Sequence, residues 1–508
     1  MDASKRIVVN TLAQHIRSVV NICLSLYSTR LILQALGHDD FGIYSLVAGV
    51  VAMLGFLNNA MVVTTQRQLS FWHGRGNVAD VRRMFSNSLL LHIVFAMLLA
   101  AVLVAIAPLL FSGVLVIEPS RMDAARVVYI LVVLSLLVTF LTTPYRAIFI
   151  ARENIVYISI VDVADGVLKL IAALWLTHCP TDRLIAYAWV VLGIWAFNWL
   201  ALMLWARTHF EETLLLPRLS DISRKALGEL TGFAGWTVYS LGCIIGRAQG
   251  MAVVLNRFFG TVVNASYGIA MQMQGALYFV AHAIVNAMSP QLYKAEGGGD
   301  RQRMIALAEA TSKYAYLLMA LPVVPLLFEM DAILEVWLGD VPRDAAMLCQ
   351  MVLAAALADQ VTTGLNVANL AVGRLRDYSL VINTLKILTL PAMALVLSMG
   401  YGMTTAMWVF LGIEIVGALL RLPFLKATAG LSIRHYAATV FLRLLLPTAA
   451  LIVCCQAVVS WVHVPFRFLL TIGVSTLVCT PIIWYTALAQ QERKALCNML
   501  KPKKTLTR

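Results

Sequence analysis

The sequence predicts an all-α integral membrane protein of about fourteen transmembrane helices, arranged as two six-helix bundles in a parallel repeat plus two C-terminal helices. Three observations lead there. First, 60% of the 508 residues are hydrophobic and 13% are charged, about half the charged share of a soluble domain. No soluble core could hide that much apolar sequence under a polar surface. A span takes about 20 apolar residues, so about 305 of them supply about fourteen. Second, Lys and Arg concentrate in alternate connections. Third, the chain repeats itself. Soluble enzymes, secreted disulfide scaffolds and disordered chains are excluded, and alternating barrel strands are absent.

Apolar segments fall at 8–36, 41–66, 85–113, 122–149, 155–178 and 183–206 in the first half. The second half supplies 228–258, 262–290, 304–328, 345–371, 378–399 and 402–425, followed by 437–461 and 467–489. The organisation expected is a bundle over 1–207, a cytoplasmic linker over 208–227, a bundle over 228–427, an accessory pair over 437–489 and a basic cytoplasmic tail over 490–508. The first segment does not read as a cleavable signal, being too long, interrupted by Arg17 and without a small-residue cleavage pattern. Lys and Arg in the two ends and the connections on their side number 27, against 7 in the intervening connections. The positive-inside rule then places both ends in the cytoplasm, which requires an even number of spans. The net charge of +13 is mostly this topology signal and does not point to nucleic acid.

The repeat is read from two stretches. Leu31-Ile-Leu-Gln-Ala-Leu-Gly37 followed by Tyr44 returns, 223 residues later, as Val253-Val-Leu-Asn-Arg-Phe-Phe-Gly260 followed by Tyr267. Thr142-Thr143 with Ala151, Ser159 and Val161 returns, 220 residues later, as Thr362-Thr363 with Ala371, Ser379 and Val381. Transporters built from parallel repeats place substrate between the halves and rock one against the other.

Ionisable residues deep in a span are costly unless they face protein or water. The cations are Arg17, Lys169, Arg247 and Lys386, an Arg in the first helix and a Lys in the fifth helix of each half. The acids are Asp162, Asp165, Asp359 and Glu414. Four quasi-symmetric cations suit an anionic, phosphate-bearing ligand, with forked bonds from Arg and a mobile point charge from Lys. Asp165 and Lys169, spaced i,i+4, are equally well explained as a pair with each other. Arg17 and Arg247 have no acid within four residues, which favours a ligand. Asp359, Thr362, Thr363 and Asn366 share one helix face, either water-lined or an interhelical hydrogen-bond seam. Glu414 is a proton or sodium site or a counter-ion to one of the cations. Asp359, Glu414, Asp162 and Asp165 are the ion-coupling candidates, for Na+ or H+. No other cofactor is expected.

His15, His92 and His282 stand singly and read as core residues. The eight cysteines show no metal spacing and behave as small packing residues. No phosphate-cradling GxxxxGK[ST], no GxGxxG and no HExxH occurs.

The first hairpin, Arg30-Leu-Ile-Leu-Gln-Ala-Leu-Gly37-His-Asp-Asp40-Phe-Gly-Ile-Tyr44, resembles that of bacterial polysaccharide flippases. These are O-antigen and lipopolysaccharide-biosynthesis transporters of the multidrug/oligosaccharidyl-lipid/polysaccharide exporter superfamily. Phe56-Leu-Asn58-Asn-Ala-Met61 with Thr64-Thr65-Gln66-Arg67, and Phe233-Ala-Gly-Trp236, are similar too. The resemblance extends over most of residues 1–430 and implies alternating access to a central cavity. The implied cargo is a saccharide linked through diphosphate to undecaprenol. Arg17 and Arg247 resemble the cavity arginines of lipid II flippases, which also have fourteen helices. The expectation is therefore an inner-membrane flippase for cell-surface polysaccharide, not an enzyme, with the lipid-linked glycan, membrane lipids and a pathway polymerase or ligase as partners. The alternatives are a multidrug or cation exporter of the same fold, and a polymerase or ligase, for which no sizeable outer loop exists.

Overall fold

The computed structural model describes residues 3–52, 54–114, 117–214, 216–338, 341–342, 344–462, 464, 466–488, 490 and 492–493. The expected basic tail from 494 onward, the side chains of Lys5, Arg6, His15 and Arg30, and Cys497 lie outside the described residues. Among the described residues, each of the fourteen expected segments is helical over most of its length, and no strand occurs.

In chain order the helices are α1 (Ala3–Ala52), α2 (Gly55–Gly74), α3 (Val78–Leu109), α4 (Met122–Ala151), α5 (Ile155–Leu176), α6 (Arg183–His209), α7 (Arg224–Phe259), α8 (Thr261–Gly297) and α9 (Arg301–Phe328). There follow α10 (Met330–Leu338), α11 (Ala345–Gln360), α12 (Thr363–Val372), α13 (Leu375–Ile387), α14 (Thr389–Ser398), α15 (Met403–Ala429), α16 (Ile433–Tyr436), α17 (Leu442–Trp461) and α18 (Arg467–Ile482). Among the described residues nine helices are long and apolar enough to cross a membrane, or eleven if each of two bent pairs is one span. One such pair is α11 and α12, bent by 49°.

Backbone conformation supports the duplication. Gly37 and Gly260, 223 residues apart, both adopt left-handed angles (φ 80° and 82°). Gly76 and Gly299, at the same spacing, do so too (φ 79° and 80°). At the shorter offset of 220, Glu153 (φ 59°) ends α4 as Gly373 (φ 84°) ends α12. An L-residue at Glu153 costs about 1–2 kcal/mol in that region, so the repeat keeps the turn even where it has lost the glycine. Helix pairing repeats as well: α4 packs on α3 and α6 as α11 and α12 pack on α9 and α15, and α5 lies on α6 as α13 and α14 lie on α15.

The chain divides into two compact units. One comprises 9–238 with 297–299; the other comprises 239–296 and 300 onward, with the residues up to Val8. The division falls inside α7, not in the expected linker. Residues 208–227 are instead fastened to the first unit. Arg82 donates to the Glu211 carbonyl (2.6 Å), Asn87 to the Asp221 carbonyl (2.8 Å) and Tyr145 to the Leu214 carbonyl (2.7 Å), while Arg152 forks onto buried Glu212 (both 2.7 Å).

In the first unit α4 is the hub, burying Phe140, Tyr145, Ile148 and Phe149. Lipid tails are as apolar as leucine, so packing and interhelical hydrogen bonds hold such helices together. Thr143 to Asn58 (2.8 Å), Tyr129 to the Leu103 carbonyl (2.8 Å) and Thr65 with Ser88 (2.9 Å) are bonds of this kind. In the second unit α9, α11, α12 and α15 form the core. Gly364 lets α12 approach α9 closely, since a Cβ there would run into the Ala308 carbonyl oxygen.

The accessory pair, α17 and α18, packs on α9. Its anchor is Glu329, which follows α9, is 2% exposed, and accepts a fork from Arg467 (2.8 and 2.9 Å) and a bond from Thr471 (2.7 Å). Burial alone would raise the Glu329 pKa, but the guanidinium and the hydroxyl together hold it below the ordinary carboxylate value. This contribution is complete above the unfolded pKa of about 4.3 and is lost as pH falls through the lower folded one. Arg467→Ala is expected to cost about 3 kcal/mol, the penalty for orphaning a buried charge. Limited proteolysis should then cut the 462–466 connection before the rest of the chain.

Candidate functional site

In the first unit the charges on α1, α4 and α5 meet. Asp162 accepts from Arg17 (2.7 Å) and, through the same oxygen, from Arg146. One turn along α5, Lys169 lies 2.7 Å from Asp165 and 5.4 Å from the Trp195 ring centre on α6. The amide oxygen of Asn21 lies against Gly166, where no Cβ could fit without moving it. That oxygen and Asp165 Oδ1 are buried acceptors with no hydrogen-bond partner among the described residues.

In the second unit the cluster spans α7, α11, α13 and α15. Arg247 pairs with Glu414 and lies 5.3 Å from the Phe410 ring centre. Lys386 bridges two acids, 3.0 Å from Glu414 and 3.1 Å from Asp359. Arg421 donates to the Asp359 carboxylate (2.6 Å), to its backbone carbonyl (3.2 Å) and to Thr362 (3.3 Å). At the bend between α11 and α12 the Asp359 carbonyl keeps a long backbone bond from the Thr362 N–H (3.4 Å) and also accepts from Arg421.

Each cluster therefore contains three cations and two carboxylates: Arg17, Arg146 and Lys169 with Asp162 and Asp165, and Arg247, Lys386 and Arg421 with Asp359 and Glu414. Each keeps one positive charge unmatched. The side chains differ in access. Arg17, Arg146 and Lys169 are 24–36% exposed, whereas Lys386 and Arg421 are 9% and 5% exposed. The first cluster can reach a ligand without rearrangement, and the second lies deeper, with Arg247 (16% exposed) its most accessible cation.

All eight ionisable residues singled out from sequence fall into these clusters. The acids facing Arg17 and Arg247 come from other helices, 145 and 167 residues away, so a search within four residues could not find them. Glu414 is a counter-ion in this arrangement. The polar face of α11 and α12 is a hydrogen-bonded seam, with Thr362 donating to the Ala418 carbonyl (3.0 Å) and Tyr378 to Asn366 (2.6 Å).

Sequence reasoning missed Arg146, Arg421 and Lys313. Arg146 and Arg421 stand at the cytoplasmic ends of the apolar segments 122–149 and 402–425, where the count of basic residues takes them with the connections, but α4 and α15 extend past them. Lys313 sits well inside α9, is 4% exposed, and holds both oxygens of Glu492 at 2.7 Å. His92 is buried, with its Nδ1 2.7 Å from the Ser88 carbonyl. Among the described residues no group of three or more His, Cys, Asp or Glu could hold a metal, and the seven described cysteines are free thiols.

No family model matches the sequence, and no curated protein does. Solved structures do match in fold. A MATE protein in the bent conformation superposes with a TM-score of 0.73 at 13% identity, over 85% of this chain and 98% of the other. The fold is that of the MATE transporters. A MOP superfamily transporter from Pyrococcus furiosus, described as having a binding pocket of reverse polarity that suggests a different function, gives 0.68 at 14% identity over 85% and 96%. An outward-facing multidrug resistance MATE transporter of the same superfamily gives 0.67 at 14% over 85% and 96%. At these identities the likeness concerns the MATE fold alone.

Proposed function

We propose that this chain is a membrane transporter working by alternating access, and that its cargo is anionic. The cargo we assign is an oligosaccharide linked through diphosphate to undecaprenol, moved from the cytoplasmic to the outer leaflet of the bacterial inner membrane for surface polysaccharide synthesis. The observation that supports it is the charge balance. Each repeat unit holds a cluster with one surplus positive charge. A diphosphate diester carries one negative charge per phosphate, opposite in sign to the surplus of each cluster. Four of the six cations, Arg17, Arg146, Arg247 and Arg421, are guanidinium groups each paired with a single carboxylate oxygen, which leaves donors for phosphate.

The second reading is an exporter of drugs or other cations, and the names of the solved relatives support it more directly than they support a glycan cargo. Against it stands the sign of both clusters, since a lipophilic cation would meet net positive charge in each. Coupling to sodium or protons we assign to Asp165, whose buried Oδ1 has no hydrogen-bond partner among the described residues; the Asn21 oxygen, against the next residue Gly166, has none either. Asp162, Asp359 and Glu414 each hold two cations and would have to release one to take up an ion.

A charge-assisted hydrogen bond is worth about 1.5–3 kcal/mol. Arg17→Ala and Arg247→Ala should therefore each lower lipid-linked glycan transport in proteoliposomes by at least about tenfold, at unchanged protein level and insertion. Arg→Lys should restore only part of it, because the fork is lost. Normal transport in both Ala variants would remove these residues from the site.

A further inference from the structure

Beyond transport, the first unit carries a groove of about 450 Å³ lined by Val104, Ala107, Pro108 and Phe111 of α3 and the turn after it, and by Arg126 and Ile130 of α4. It arises from the way α3 ends. Pro108 has no N–H for the Val104 carbonyl, and the backbone then widens into a π-helical turn over Leu110–Val114. The groove opens on the apolar outside of two membrane-length helices, where Val104, Leu109 and Ile130 are 56%, 66% and 54% exposed. Along α4, Ile130, Arg126 and Asp123 lie at spacings of four and three, on one face. Read from the groove towards the helix start, that face runs apolar, cationic, anionic.

Arg126 and Asp123 are joined only by a long 3.4 Å contact, with side chains 58% and 96% exposed. Such a pair is worth at most about 1 kcal/mol and exchanges readily for ligand bonds. A zwitterionic glycerophospholipid with a primary amine fits this order of groups: an acyl chain in the groove, the phosphate on the Arg126 guanidinium, and the terminal ammonium farther out on the Asp123 carboxylate. A phosphatidylglycerol headgroup offers Asp123 only neutral hydroxyls, with no positive charge to pair with the carboxylate. A choline headgroup has no N–H to donate there. We infer that this groove is a binding site for phosphatidylethanolamine.

The test uses the full-length protein reconstituted in bilayers of equal phosphatidylethanolamine, phosphatidylglycerol and phosphatidylcholine. The lipids retained after gentle detergent extraction are counted by native mass spectrometry. Wild type should retain phosphatidylethanolamine about two- to fivefold over the other two, the range expected for one exposed ionic contact. Asp123→Asn should switch the preference to phosphatidylglycerol, because Arg126 then stands alone. Arg126→Gln should abolish headgroup preference while chains are still retained, and Ala107→Trp should lower retention of all three lipids by filling the groove. Both charged residues are exposed, so these variants leave the fold intact. Equal retention of the three lipids by wild type, or an unchanged preference in Asp123→Asn, would overturn the assignment.

Discussion

Replacing Arg421 by Met is expected to damage the folded protein more than any other single change considered. The guanidinium is 5% exposed, and it satisfies the Asp359 carboxylate, the Asp359 carbonyl and Thr362 at once. Removing one partner of a buried ion pair costs about 3–5 kcal/mol, a large part of a typical total stability of about 5–15 kcal/mol. Lys386 cannot take over, because it is already shared between Asp359 and Glu414. The check is thermal unfolding in detergent with size-exclusion chromatography, where Arg421→Met should melt well below wild type. Replacing Asp359 by Leu in the same chain removes the stranded carboxylate and should return much of the loss, as replacing whole buried pairs by apolar residues often does. A double variant as unstable as the single one would mean that Arg421 acts through packing and not through charge.

Much of the architecture was legible because a membrane makes sequence speak plainly. Apolar length gives the spans, and the glycines at 37 and 260, equivalent in the repeat, both take a positive φ. The charges inside spans were legible as a set, for the physical reason that they are costly there. Their partners were not. Arg17 meets Asp162, and Arg247 meets Glu414, only because helices distant in sequence pack side by side. Arg146 and Arg421 were hidden by a boundary effect: a basic residue near the end of an apolar run looks like the start of a cytoplasmic loop, and helices that continue past the apolar run defeat that reading. Lys313 carried the same signal as the four cations singled out, but its counter-ion, Glu492, comes from the C-terminal region.

The second large effect concerns function. Lys386→Met removes one cation from the cluster in the second unit, leaving Arg247 and Arg421 against Asp359 and Glu414. The surplus charge is gone, and transport of an anionic cargo should fall by at least about tenfold, the worth of one charge-assisted bond. Adding Glu414→Gln restores the surplus without restoring the lysine. If net charge is what the cargo reads, this double variant should recover a substantial part of the transport. If Lys386 makes a contact that nothing else supplies, the double variant stays as poor as the single one. Surface polysaccharide in cells, normalised to inserted protein, distinguishes the two outcomes.

The sign of the cargo decides the account. Purified protein in proteoliposomes should be given a fluorescent polyprenyl-diphosphate oligosaccharide and, separately, a lipophilic cation, with the membrane potential clamped and sodium and pH varied. Movement of the diphosphate lipid across the bilayer, reduced in Lys386→Met and recovered with Glu414→Gln, is the predicted result. Transport of the cation with no movement of the diphosphate lipid would contradict it.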